Sequence, residues 1–291
     1  MTAGFAPNYA LPANCREMRV AVVGHVEWIE FAQVERVPRP GEIVHATRTW
    51  QEPGGGGAVA AVQLCKLAGQ AELFTAFGDD EVGHRSRDAL RELGLDVHAA
   101  FRDEPQRRGF VHLDSAGERS ITVLGPRLGP SGADPLPWDR LHEADAVYFT
   151  AGDAAAVGLA RRARTIVASA RGLDVLAEAG VRLDVLVASG RDPGERYERG
   201  QLDPAPDFVV RTAGAGGGEW EAADGTRGRW QATPLPGPVR DSYGCGDSFA
   251  AGLTCGLGAG EPLERALELA ARCGAACLTG SGPYEAQLRL A

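Results

Sequence analysis

Short apolar runs alternating with helical stretches constrain this chain more than any other feature. Ala146 to Phe149, Thr165 to Ala168, Leu183 to Ala188 and Phe208 to Thr212 each have the length and apolarity of a buried strand. Ala154 to Arg164 has a helical pattern between two of them, and further helices follow Gly246 and Pro262. Earlier, Met18 to Val23 reads as a buried strand ending at Gly24, and Glu72 to Phe77 as another. Ala58 to Leu67 reads as a small-residue helix ending at Gly69, and Gly83 to Leu93 as a helix stopped by Gly94. Alternation on this scale predicts an α/β fold, doubly wound, with a mostly parallel sheet and helices on both faces. Two stretches differ. Phe31 to Glu52 is extended and polar, punctuated by Pro38, Pro40 and Gly41; Gly109 to Asp114 and Arg119 to Leu124 flank a turn and alternate like a half-solvated hairpin. They are expected to form a small separate β-sheet, from about 30–52 and 107–124, within one domain spanning residues 1–291.

With 291 residues, 44% hydrophobic and 24% charged, the chain can bury one large core. No run approaches the roughly 18–20 apolar residues of a membrane span. Met1 to Glu17 lacks the basic cluster and apolar block of a secretory signal. A formal charge of −9 argues against nucleic acid as a partner, though not against an anionic small molecule bound by main-chain N–H groups. Six cysteines without a C-x-x-C pair suit free thiols in a reducing cytoplasm better than zinc or disulfides. The only lysine, Lys66, is not in a P-loop context, so phosphate would have to be held by main chain. Glycines cluster where that could happen: Gly54 to Gly57, Gly214 to Gly218 and Gly244 to Gly246.

The run Asp241-Ser242-Tyr243-Gly244-Cys245-Gly246-Asp247 carries the most chemistry. Two glycines flank one small residue, an acid follows, and a helix begins. That arrangement puts unsatisfied N–H groups and the positive helix end where charge would build on a transferring phosphoryl group. A carboxylate in the first turn can take a proton from an attacking hydroxyl. The run resembles the D-T-x-G-A-G-D signature of the ribokinase-like, or PfkB, family of carbohydrate and nucleoside kinases. The glycine run 54–57, the stretch Gly78-Asp79-Asp80-Glu81-Val82-Gly83 and the later Leu93-Gly94-Leu95-Asp96-Val97 are similar to further family motifs, in the same order.

The resemblance implies an ATP-dependent carbohydrate kinase acting on a small sugar-like hydroxyl, with Asp247 as base and the N–H groups of Gly244, Cys245 and Gly246 as anion hole. It implies a nucleotide turn at Thr212, Gly214 and Gly217, an adenine-side segment including Cys273 and Ala276, and a further cofactor-side residue at Asp241. Ser189 and Asp192 stand where the family places its Mg²⁺-organising pair, and some members also use a monovalent cation such as K⁺. Gly55, Gly56 and Gly57 fall on the acceptor side. The small sheet would act as a lid, through which a homodimer is allowed; no nucleic acid or membrane partner is implied.

Departures from the family pattern affect the acceptor. The positions where sugar kinases of the family commonly carry a substrate Asp and Asn are Ile29 and Val59. In the run Gly24-His25-Val26-Glu27-Trp28, alternation points His25 and Glu27 one way and Val26 and Trp28 the other. Glu27 and His25 are therefore candidate acceptor contacts, and Trp28 a candidate stacking surface; the plainer alternative puts Trp28 in the core and makes Glu27 a solvated loop acid. The arginine pairs Arg107-Arg108 and Arg161-Arg162 read as solvated faces, with the alternative that an arginine near the lid meets an anionic substrate; His45, His84, His98 and His112 read as surface residues. Two other readings stay open: a nucleoside kinase, and a non-catalytic nucleotide- or metabolite-binding regulator on the same fold.

Overall fold

A computed structural model describes Cys15 and residues 18–289; the expectation about Met1 to Glu17 otherwise lies outside the described residues. The main sheet has nine strands in the order β13-β12-β11-β10-β9-β8-β1-β4-β5. Its parallel part comprises β1 (Val20–Val23), β4 (Glu72–Gly78), β5 (Asp96–Arg102), β8 (Ala146–Phe149), β9 (Thr165–Ser169), β10 (Val185–Ser189) and β11 (Phe208–Thr212). An antiparallel hairpin, β12 (Gly218–Ala222) and β13 (Arg227–Trp230), closes one edge. Strand order reverses between β1 and β8, which leaves a crevice beyond their carboxyl ends.

Alternate side chains of each strand feed two cores. Val20 and Val22 of β1 join Tyr148, Val167 and Val185 beneath α1 (Gly56–Ala68), α5 (Cys245–Gly258) and α6 (Leu263–Cys277). Ala21 and Val23 join Phe149, Ile166 and Leu186 beneath α3 (Ala154–Ala160) and α4 (Leu173–Ala179). The fold is thus doubly wound. Small residues let α5 and α6 approach closely: a Cβ at Gly252 would stand 2.8 Å from the Cα of Ala270, and one at Gly256 2.8 Å from that of Ala266. The helix α2 (Glu81–Glu92) is capped by Asp80, whose side chain accepts the Gly83 N–H at 2.7 Å.

The smaller sheet has the order β3-β2-β6-β7, from β2 (Glu27–Gln33), β3 (Arg48–Gly54), β6 (Arg108–Leu113) and β7 (Arg119–Leu124). It starts at Glu27, earlier than expected, and its central β2–β6 pair is parallel while the outer pairs are antiparallel. The helix expected over Ala154 to Arg164 stops at Ala160. There the Arg161 guanidinium accepts the chain's return, donating to the carbonyls of Ala163, Arg164 and Arg182 and to Asp184. His98, expected at the surface, is tucked between Glu72 at 2.8 Å and Asp96 at 3.5 Å, with the Arg140 Nε on the same Glu72 at 2.6 Å. The same guanidinium also comes within 3.6 Å of Asp96. All six cysteines are free thiols, and among the described residues no helix is long and apolar enough to cross a membrane.

Candidate active site

The phosphate-facing wall is made of main chain. Gly244 precedes α5 with φ +79°, a left-handed conformation, and a Cβ there would stand 2.9 Å from Val59 Cγ1 and 3.0 Å from Pro283 Cβ. The first-turn N–H groups of Cys245, Gly246 and Asp247 therefore emerge at the positive end of a 14-residue helix, without intrahelical acceptors. Fully buried Asp241 locks this loop: its carboxylate accepts the Tyr243 N–H at 2.8 Å and the Gly282 N–H at 2.9 Å. Tyr243 Oη in turn accepts the Gly55 N–H at 2.9 Å, which fastens the loop to the glycine run.

Asp247 is half-buried in the first turn of α5. A Cβ on Gly56 would stand 2.8 Å from Asp247 Oδ1 and 3.0 Å from Thr150 Oγ1, so glycine keeps open the space facing the carboxylate. Gly57 is needed for a different reason: its Cβ would meet the His25 carbonyl at 2.6 Å, where α1 crosses the end of β1. Burial, and then the negative charge of Glu195, push the Asp247 carboxyl up to about 7, against the opposing pull of Arg119 and Arg171. A carboxylate with that pKa can accept a proton at neutral pH and still be ionised often enough to act.

Arginines gather on the opposite wall. Glu27 opens β2, buried, with Arg107 Nε at 2.6 Å and His25 Nε2 at 3.6 Å. The expectation that Arg107 is a solvated residue fails, because the return of the chain into β6 turns its side chain inward to 15% exposure. A cavity of about 440 Å³ lies beyond the ends of β8 and β9, with Arg127, Arg171, Thr150, Ser131, Asp153 and Asp174 in its lining. Arg127 is held below its ordinary value by burial and by the like charges of Arg107 and Arg171, and among the described residues it makes no ion pair. Arg171 follows β9 and reaches Asp192 Oδ2 at 2.5 Å and Glu195 Oε1 at 2.7 Å. Burial, then Arg127, Arg107 and Arg171, keep His25 well below the usual histidine range. It is neutral near pH 7, and its buried Nδ1 has no hydrogen-bond partner.

Several expected contacts change on the nucleotide side. The turn after Thr212 uses its own N–H groups: Gly216 donates to Ala213 at 3.3 Å, and Gly217 to Gly214 at 3.0 Å. Gly217 is required instead by its φ of +77° and by the Trp230 carbonyl, 2.1 Å from where a Cβ would be; Gly214, at φ +60°, opens the turn beside the Arg191 guanidinium. Ser189 Oγ is bent back onto the N–H groups of Arg191 and Asp192 at 3.2 and 3.1 Å. Asp192 accepts the Gly194 N–H at 2.8 Å besides its pairing with Arg171. Cys273 is fully buried between α5 and α6, and Ala276 is also in the core at 7% exposure, so neither offers a side chain to a nucleotide.

Trp28 does not face the acceptor space. It is buried, and Arg85 of α2 lies over its ring with the guanidinium carbon 4.4 Å from the centroid. Ile29 is fully buried against Gly54 and Gly109, and Val59 packs beneath Gly244. Glu27, two residues before Ile29, brings a buried carboxylate to the start of β2. Residues that sequence reasoning missed are Arg127, Arg171, Glu195 and Thr150. For Arg171 and Thr150, a position directly after a parallel strand was the usable signal.

Comparison with known proteins fits this geometry. An ATP-dependent ribose-1-phosphate kinase from Halopiger xanaduensis is 29% identical over 282 residues, covering 89% of this chain and 91% of the relative. A fructokinase from Salmonella typhimurium is 28% identical over 300 residues, covering 83% of this chain and 92% of the relative. Among solved structures, Arabidopsis thaliana ribokinase complexed with ribose and ATP superposes with a TM-score of 0.74 at 21% identity, over 94% of this chain and 96% of that one. The nucleoside kinase of Methanocaldococcus jannaschii gives a TM-score of 0.69 at 17% identity, over 94% and 96%. Fold alone therefore does not separate a sugar from a nucleoside acceptor. The model of the pfkB family carbohydrate kinase matches residues 18–172 and 203–289, and on that match, with the catalytic crevice above, the chain belongs to the pfkB family of carbohydrate kinases.

Proposed function

We propose that this ATP-dependent kinase phosphorylates a hydroxyl of a sugar that already carries a phosphate. One observation carries the reading: Arg127 and Arg171 line one cavity with Thr150, which together with Asp247 faces Gly56, and Arg127, repelled by Arg107 and Arg171 and attracted by Glu27, forms no ion pair among the described residues. An acceptor phosphate would relieve that repulsion, and a guanidinium fork matches phosphate geometry. The Halopiger relative, named for ribose 1-phosphate, supports the same class of acceptor. A neutral nucleoside would leave Arg127 unmatched, and Trp28 is already covered by Arg85.

In the proposed reaction Asp247 takes the proton of the acceptor hydroxyl as its oxygen bonds to the γ-phosphorus, and the bond to the leaving ADP breaks. The N–H groups of Cys245, Gly246 and Asp247 hold the charge that spreads over the moving phosphoryl oxygens. Glu27 and neutral His25 position the sugar hydroxyls, His25 through its unpartnered Nδ1. Asp192 and Glu195 offer hard oxygen donors on the side of Asp247 where the nucleotide phosphates would lie, which fits Mg²⁺ held largely through water. Bound there, Mg²⁺ would neutralise phosphate charge. The lid's outer strand exposes Ile121 and Val123 at 41% and 42%, which supports a homodimer through that sheet. Free thiols accord with a reducing, cytoplasmic setting.

The test is ADP release from ATP and Mg²⁺ over matched pairs of pentoses and hexoses with and without a phosphate. Phosphorylated acceptors should be preferred in kcat/KM by at least roughly 10²-fold, the worth of a charge-assisted pair or two. Arg127→Met should remove most of that preference. Equal use of a free sugar and its phosphate by the wild type would overturn the reading.

A further inference from the structure

The small sheet joins the main one at a buried amide. Gln106, 3% exposed, stands two residues before β6. Its Oε1 accepts the N–H of Gly78, the last residue of β4, at 3.0 Å. Its Nε2 donates to the carbonyl of Val26, one residue before β2, at 2.9 Å, and to that of Arg107 at 3.3 Å. The Arg107 carbonyl also accepts the Trp28 N–H at 2.9 Å. Main chain is therefore pinned on either side of Glu27 and at Arg107, the two residues whose side chains pair at 2.6 Å on the acceptor wall.

Glutamine suits this junction for a chemical reason. One N–H and two carbonyls call for an acceptor and two donors on the end of one side chain, and only an amide carries both. Leucine would fill much the same space and satisfy none of them. The surroundings hold the amide in place: Asp80 Oδ2 accepts the Gln106 N–H at 2.9 Å, while Oδ1 of the same carboxylate caps α2. Close approach explains two glycines. A Cβ at Gly78 would stand 2.3 Å from the Gln106 nitrogen, and one at Gly83 2.0 Å from the Gly78 carbonyl oxygen. The run Gly78 to Gly83, unused by the chemistry at Asp247, has its role here.

We infer that Gln106 is a positioning residue for the acceptor: by fixing the main chain around Glu27 and Arg107, it sets the direction in which their paired side chains enter the crevice. It touches no reacting atom. Arg127 feels both members of the pair, Arg107 as a like charge and Glu27 as an opposite one, so a shift in the pair reaches the rest of the acceptor wall. The phosphate-facing wall hangs from other supports, the Asp241 carboxylate and the Tyr243 hydroxyl. Loss of the Gln106 amide is therefore felt by the acceptor and not by the nucleotide. The inference rests on Glu27 contacting the acceptor, as proposed above, and not on whether that acceptor carries a phosphate.

The experiment compares Gln106→Leu and Asp80→Asn with Gln63→Leu, a buried glutamine whose Nε2 holds the Leu288 carbonyl at 2.8 Å. Each is studied well below its melting temperature, by steady-state kinetics with whichever pentose, hexose or phosphate ester the wild type uses best, and by calorimetric ADP affinity. Gln106→Leu should raise the acceptor KM by at least roughly tenfold, with kcat and ADP affinity within about threefold of wild type. Asp80→Asn keeps one oxygen for the α2 cap but turns an NH₂ toward the Gln106 N–H, and should raise the same KM by about threefold. It carries the test alone if Gln106→Leu does not fold. Gln63→Leu should lower the melting temperature without moving the acceptor KM. Because Gln106 acts through Glu27, the double variant Gln106→Leu with Glu27→Gln should have the acceptor KM of Glu27→Gln alone. An acceptor KM near wild type in Gln106→Leu, equal losses of ADP and acceptor affinity, or multiplying effects in the double variant would each overturn the inference. An unchanged KM in Glu27→Gln would instead overturn the acceptor wall itself, so the two readings fail separately.

Discussion

The two walls of the crevice are built on opposite plans. The phosphate-facing wall is contiguous main chain, residues 241–247, shaped by a left-handed glycine and the start of a helix. The acceptor wall is made of long side chains from Glu27, Arg107, Arg127 and Arg171, brought together from four separate connections. Backbone N–H groups serve any phosphoryl group and cannot be changed by substitution without breaking the turn. Side chains can be exchanged one at a time, so under the proposed function the second wall is where specificity is set.

Changing the one side chain that acts on the first wall should have the largest effect. Asp247→Asn should cost at least roughly 10²-fold in kcat with ADP affinity retained, and an unchanged rate would remove Asp247 as the base. In the wild type kcat/KM should rise with pH and level off above about 7, as the carboxylate becomes available.

A smaller effect tests how closely the walls approach. Gly56→Ala would put a Cβ 2.8 Å from Asp247 Oδ1, and should lower kcat/KM by about tenfold while ADP binding persists. If it weakened ADP binding instead, Gly56 would belong to the nucleotide side.

The smallest effect is on stability. The folded-state pKa of Asp247 lies above its ordinary 3.8, so the native state binds the extra proton and stability falls as pH rises from about 4 to 7. Asp247→Asn removes that cost. Thermal melting at pH 8 should show it more stable by roughly 1–2 kcal/mol, discounted because cleft water reaches the carboxylate, and the advantage should vanish near pH 4. A melting temperature equal to wild type at pH 8 would mean that the carboxylate is not strained.

Legibility followed the same division. The strands β1, β4, β8, β9 and β11 and the helices α1, α2, α5 and α6 were readable because apolar runs and their glycine stops are local signals. The edge strands β12 and β13 were not, since Glu219, Glu221, Arg227 and Arg229 give them the polarity of a loop. The glycine turn 213–217 looked like a phosphate cradle in sequence, yet the N–H groups of Ala213, Gly216 and Gly217 donate to the turn's own carbonyls. Trp28 and Arg107 exchanged roles for a tertiary reason: α2 supplies Arg85 to cover the indole, while Glu27 draws the Arg107 guanidinium inward.

By itself, then, the sequence determined the layered α/β fold and the main-chain phosphate wall, because both depend on residues adjacent in the chain. Only the tertiary structure decided the wall of long side chains that faces it, and the reach of Arg119 to the Ser242 carbonyl before α5. Arg127 feels the charges of residues 27, 107 and 171, and Asp247 those of residues 27, 119, 171 and 195, and nothing in their sequence spacing encodes that proximity.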